Sequence, residues 1–148
     1  MMDPVDLRIR RLRPQATLPA YQSAHAAGLD LHACIDAPVT IAPGAIALVP
    51  CGFAMAIPPG WEAQVRPRSG LATRHGIGMP NAPGTIDAAF RGEIKVNLIN
   101  HDPATPVTFK RGDRIAQLVV QPVSRAVFVP VADLPGTERG DGGFGSTG

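Results

Sequence analysis

Apolar and polar residues alternate with period two along most of this chain, the spacing of half-buried strands rather than of helices. Phe53, Met55 and Ile57 alternate with Ala54 and Ala56 until Pro58-Pro59-Gly60 ends the run. Ile94, Val96 and Leu98 alternate with Glu93, Lys95 and Asn97, which predicts a strand with one buried and one wet face. Residues 46–49, 115–120 and 126–131 predict further strands. Near the N-terminus Leu7 and Ile9 alternate with Arg8 and Arg10, a half-buried strand with a solvated basic face. Pro43-Gly44, Pro83-Gly84, Arg111-Gly112-Asp113 and Pro135-Gly136 punctuate the pattern as turns. Many short strands between Pro/Gly turns predict an all-β sandwich, barrel or jelly roll. One short helix interrupts it: Ser69 as N-cap, residues 70–75 as about two turns, and Gly76 as the stop.

Composition narrows this picture. A length of 148 residues predicts one domain. Sixteen glycines and sixteen prolines require many turns, while an apolar fraction of 45% excludes disorder for the chain as a whole. With only five Phe, one Trp and one Tyr, the core is built mainly from aliphatic residues. The last ten residues hold five glycines and no strand pattern. We therefore expect a β domain over 1–138 and a flexible Gly-rich segment over 139–148 that belongs to it. A net charge of +2 gives no reason to expect a nucleic-acid or membrane partner. No apolar run approaches the roughly 20 residues of a membrane span. The N-terminus has no leader-like apolar segment, so a cytoplasmic location is expected. Cys34 and Cys51 predict buried free thiols, and the four histidines have no metal-ligand spacing.

Five segments place glycine beside polar groups. In Ala27-Gly28-Leu29-Asp30-Leu31 the carboxylate of Asp30 either caps a turn or orders water around a cation. Pro67-Arg68-Ser69-Gly70 joins a guanidinium fork and a hydroxyl to a helix start, a combination that suits a phosphate or simply caps the helix. From Asn81 through Thr85, Ile86 and Asp87 to Phe90, the chain reads as a β-hairpin with Asp87 near its bend. Such a hairpin can offer backbone donors and acceptors to a flat ring, and Asp87 can deprotonate a water. Gly112-Asp113-Arg114-Ile115-Ala116-Gln117 is a turn entering a strand, with Asp113 and Arg114 as a surface ion pair. The tail, Arg139 to Gly148, lacks the Lys of a P-loop but carries Arg139, Phe144, Ser146 and Thr147 among its glycines.

Together, in this order, these segments resemble the five motifs of the homotrimeric dUTPase family, over nearly the whole chain. That resemblance implies a distorted jelly-roll or β-barrel with one short helix, assembled as a homotrimer. It implies hydrolysis of dUTP to dUMP and pyrophosphate with Mg²⁺, which limits uracil in DNA and supplies dUMP for thymidylate synthesis. By it, Asp30 holds a water around the metal, which rides on the triphosphate. Arg68, Ser69, Gly70 and Gln117 bind phosphates; Asn81 and the backbone of Thr85 and Ile86 read uracil. Asp87 accepts the 3′-hydroxyl and orients the attacking water, Phe90 packs on the sugar, and Arg139, Phe144, Ser146 and Thr147 form a closing lid. Phe90 departs from the Tyr usual in the family, keeping the ring that excludes a 2′-hydroxyl but losing the phenol. Two alternatives remain open here: a dCTP deaminase, alone or bifunctional, which depends on a Glu near the third motif, and a non-catalytic jelly-roll binding module.

Overall fold

The computed structural model describes residues 3–148. Among these, ten strands form two four-stranded antiparallel sheets and one two-stranded ribbon. In the first sheet β1 (Arg8–Arg11) pairs with β4 (Ile46–Ala56), β4 with β8 (Glu93–Asn100), and β8 with β6 (Ile77–Gly78). In the second, β2 (Leu29–His32) pairs with β10 (Arg114–Pro122), β10 with β5 (Trp61–Arg66), and β5 with β7 (Gly84–Ile86). The ribbon joins β3 (Val39–Ile41) to β9 (Val107–Phe109). Helix α1 (Ser69–His75) follows β5.

The period-two pattern decides which faces meet. Ile94, Val96 and Leu98 of β8 are fully buried, as are Phe53 of β4, Leu31 of β2, and Ile115 and Leu118 of β10. Burying each such side chain contributes about 1.5–3 kcal/mol. Helix α1 fully buries no residue; half-buried Leu71 packs it against the core, and stability comes mainly from the packed sheets. Asn100 is the one fully buried polar side chain among the described residues. Its Nδ2 donates to the carbonyls of Ile41 and Thr105, and its Oδ1 accepts from the Asp102 amide, which ties β8 to the ribbon.

The runs at 46–49 and 53–57 form one strand, β4, bent by a bulge where its register with β8 shifts between Pro50 and Ala54. Gly52 sits in that bulge at φ 78°. A Cβ there would lie 2.7 Å from Cys34 Sγ and 2.8 Å from Ala16 Cβ, so only glycine fits. Both cysteines are buried and free, as expected.

Four local expectations are corrected. Residues 126–131 form no strand; Val127, Phe128, Val129 and Val131 are exposed, because a strand forms only with a paired neighbour and no described strand pairs with this segment. Strand β1 forms, but all four of its residues are exposed and it lies at the sheet edge, where arginines guard against further pairing. The segment 81–93 is not a hairpin: β7 pairs with β5 while β8 belongs to the other sheet. The N-cap is Arg68, with extended backbone and no side-chain cap; Ser69 is the first helical residue. Gly76 ends the helix in the left-handed region, as predicted.

Candidate functional site

The second sheet brings three of the five segments together. Asp30 on β2 faces Gln117 on β10, and Gln117 faces Arg66 on β5. β5 then leads through Pro67 into Arg68 at the head of α1. The Asp30 carboxylate is largely buried, which is costly for an unpaired charge. It lies 3.3 Å from Arg114 Nη1 and 4.0 Å from Arg68 Nε. Arg68 Nη1 donates to the Arg114 carbonyl at 3.3 Å. Gln117 Nε2 donates to the Pro67 carbonyl at 3.1 Å, fixing the residue before Arg68. Asp30, Arg68 and Gln117 thus form one cluster, with Ser69 and Gly70 at its rim. Arg114 completes the cluster. It was read from sequence as the partner of Asp113, but its side chain crosses to Asp30, while Asp113 Oδ2 accepts the Lys110 amide. Its position beside Gln117 in the fourth segment was the available signal.

His32, two residues along β2 from Asp30, has a buried Nδ1 without a hydrogen-bond partner. Burial holds its pKa below the ordinary value, against the opposing pull of Asp30 and with the help of Arg114 and Arg68.

The third segment forms a separate cleft of about 250 Å³, lined by Asn81, Gly84, Thr85, Ile86 and Phe90 together with Glu93 and Asn97. A cis peptide joins Ala82 to Pro83 between Asn81 and Gly84. Ile86 anchors it from the core, and Gly84 is buried against Val65. After β7 the chain turns sharply: the Phe90 amide donates to the Asp87 carbonyl, and Arg91 Nη1 donates to the carbonyls of Ala88 and Phe90. This leaves the Asp87 side chain exposed and lays the Phe90 ring over Gly92, where a Cβ would come within 2.7 Å of Cζ. Glu93, expected to face solvent, is half-buried, and its Oε2 accepts the Gly52 amide at 3.0 Å. The unsatisfied amide of the β4 bulge draws it inward.

The fifth segment stands apart from both. Its hydrogen bonds are local: Gly140 to Thr137, Gly142 to Arg139, Arg139 Nε to the Gly142 carbonyl, and Ser146 to Gly143. Phe144 is fully exposed, at φ 52°. Within this chain the predicted residues therefore fall into three groups. The cluster and the cleft share no lining residue, and β2 and β7 are three strand spacings apart, about 14 Å.

Among the described residues no group of three or more His, Cys, Asp or Glu side chains is arranged to hold a metal. No helix is long and apolar enough to cross a membrane.

Comparison with known proteins follows the same lines. The dUTPase family model matches residues 14–148. The deoxyuridine 5'-triphosphate nucleotidohydrolase of Anaeromyxobacter sp. (strain Fw109-5) is 60% identical over 148 residues, covering 98% of this chain and 99% of that protein. Among solved structures, a variant of the Staphylococcus bacteriophage 80alpha dUTPase with dUpNHpp superposes with a TM-score of 0.85 at 24% identity, covering 97% of this chain and 98% of that one. A variant dUTPase from phage phi11 of S. aureus, solved for the coordination of a structural Mg(II) ion, gives 0.80 at 22% identity, covering 89% and 100%. These two likenesses concern the fold; the family model and the 60% identical relative carry the assignment, and by them this chain belongs to the dUTPase family.

Proposed function

We propose that this chain hydrolyses dUTP to dUMP and pyrophosphate at a site completed by neighbouring subunits of a homotrimer. The activity follows from family membership. The observation that supports a shared site is the division just described: a cationic cluster and a ring-sized cleft that share no lining residue, and a tail whose hydrogen bonds are local. Exposed apolar surface supports the same reading. Ile46 and Leu48 point outward from β4, and Val127, Phe128, Val129, Val131 and Leu134 have no cover. A monomer rarely leaves so much apolar surface wet.

In this reading the cleft takes uracil. Backbone groups of Thr85 and Ile86 and the Asn81 amide match its N3 donor and its O2 and O4 acceptors. Cytosine inverts two of these, and a site built around fixed polar groups rejects such a mismatch by as much as about 10⁴-fold. Phe90 faces the sugar and excludes a 2′-hydroxyl by its bulk. Arg68, Ser69, Gly70 and Gln117 hold the phosphates. Asp87, free of any partner that would fix it elsewhere, orients the attacking water and takes its proton.

Mg²⁺ fits these residues in one way. Asp30 is a single carboxylate already flanked by two guanidinium groups, a poor direct ligand but a good acceptor for a metal-bound water. Asp30 would hold the cation through such a water, and the cation would supply neutralisation of phosphate charge that otherwise repels the nucleophile. The tail, residues 139–148, closes over the nucleotide with Arg139, Ser146 and Thr147 on phosphates and Phe144 on the base. A location in the cytoplasm, where dUTP is met, completes the reading.

The test is release of pyrophosphate from dUTP with Mg²⁺, measured alongside the mass of the assembly in solution. Hydrolysis by a trimer is expected; a fully active monomer overturns the shared site. The deaminase alternative is disfavoured because the Glu93 carboxylate is held by the Gly52 amide, and ammonia release from dCTP would reinstate it.

A further inference from the structure

We infer that Arg74 is an additional phosphate-binding guanidinium, gripping the part of the substrate that leaves as pyrophosphate. The inference rests on the reading that Arg68, Ser69 and Gly70 hold the phosphates. A cleft of about 690 Å³ runs between α1, β9 and the start of β10, and Arg68, Arg74 and Arg114 all line it. Two of these three cations are committed. Arg68 and Arg114 flank the Asp30 carboxylate at 4.0 and 3.3 Å. The two acids lining the cleft are committed too: Asp102 Oδ1 accepts the amides of Ala104 and Thr105, and Asp113 Oδ2 accepts the Lys110 amide. Arg74 forms no ion pair among the described residues.

Its placement is specific. Arg74 folds back one helical turn over Gly70, with Nη2 2.8 Å and Cζ 3.4 Å from the position a Cβ on residue 70 would occupy. The guanidinium rests against the phosphate turn in space that a side chain on residue 70 would occupy. A planar fork with no acidic partner, in a cleft whose carboxylates are already satisfied, matches paired phosphate oxygens. The α-phosphate is tied to the sugar and stays with dUMP when pyrophosphate leaves. The Arg74 guanidinium lies over Gly70 in a cleft that shares no lining residue with the cleft assigned to uracil, so it meets the phosphates farther from the nucleoside, β and γ. It therefore holds triphosphate and pyrophosphate but not dUMP, so the nucleotide product leaves without breaking this contact.

The experiment compares Arg74→Met, Arg74→Lys and, as a control for charge, Lys110→Met, an exposed cation outside the cleft lining. In Arg74→Met the KM for dUTP rises about ten- to a hundredfold, the scale of a lost charge-assisted contact. Inhibition by inorganic pyrophosphate weakens in parallel, while inhibition by dUMP does not. Arg74→Lys recovers part of the loss, and Lys110→Met shows none. Direct binding of inorganic pyrophosphate with Mg²⁺, followed by calorimetry, gives the same ranking without turnover. It decides the role of Arg74 even if the wild-type chain proves not to hydrolyse dUTP, a result that would instead sink the broader reading. An unchanged KM and unchanged pyrophosphate binding in Arg74→Met overturns the inference. So does equal weakening of dUMP and pyrophosphate, which marks a general field effect.

Discussion

Gly28 and Gln117 interlock: a Cβ added at residue 28 would fall 2.6 Å from the Gln117 Oε1 and 3.3 Å from its Cβ. The amide so confined donates to the Pro67 carbonyl, linking the first, second and fourth segments. Gly28→Ala forces Gln117 to swing away and release Pro67, loosening the backbone that carries Arg68 and Ser69. A misplacement of this kind, with the fold intact, lowers kcat/KM by about tenfold or more. Steady-state kinetics beside a thermal melt checks it. Wild-type kinetics in a normally folded Gly28→Ala protein would show that Gln117 does not position the loop.

Asp87 follows a strand whose Ile86 is locked in the core, while its own side chain is exposed. Among the described residues no hydrogen bond or ion pair engages that carboxylate, as a water-activating group requires. Asp87→Asn keeps size and shape but cannot take a proton. Its kcat is expected to fall by about 10²–10⁴-fold, while dUTP still binds in an equilibrium assay. Turnover close to wild type would remove Asp87 from the mechanism.

How much of this was legible beforehand depended on the range of the forces involved. Alternation at Phe53, Met55 and Ile57 and at Ile94, Val96 and Leu98 is a local signal, and both stretches are strands buried on the predicted side. Gly76 as a helix stop is equally local. Arg114 was misassigned because its sequence neighbour Asp113 is an obvious partner, whereas Asp30 lies 84 residues away and comes close only through β2–β10 pairing. Glu93 was misplaced for the same reason: the bulge amide of Gly52 that draws it inward is set by a register shift no periodicity reveals. The stretch at 126–131 has the composition of a strand but joins neither sheet and stays exposed. Whether such a run pairs is set by long-range contacts and cannot be read from local pattern.

Cys51 is fully buried, and burial pushes its thiol up to about 12, with the Glu93 carboxylate and Cys34 adding to the effect. The unfolded chain ionises this group near its ordinary value of 9.0. Its contribution to stability is therefore fully present below about pH 9 and is lost as pH rises from there toward 12. Chemical denaturation midpoints should fall over that window, and Cys51→Ser, which does not ionise there, should flatten the decline. The same burial keeps the thiolate scarce at pH 8, so thiol reagents should label Cys51 only at the rate of unfolding. Fast labelling of the native protein at pH 8 would contradict both expectations.

Phe144 combines full exposure with a left-handed backbone at φ 52°, a conformation costing a non-glycine residue about 1 kcal/mol or more. An apolar ring held in water at that cost contributes nothing to the isolated protomer, and the bonds around it are short turns within the tail itself. Ordering the tail over a nucleotide costs roughly 1–2 kcal/mol per residue, so phosphate and ring contacts have to offset it. Truncation after Gly140 should leave the melting temperature unchanged and cut turnover sharply. Phe144→Gly separates the two possible contributions of that residue. It relieves the backbone strain and removes the ring, so if only the turn mattered, activity would hold or rise. We expect it to fall nearly as far as in the truncation, and Phe144→Trp to keep most of it, because stacking on a base needs an aromatic face and not a particular side chain. Full activity in Phe144→Gly would leave the lid with Arg139, Ser146 and Thr147 alone.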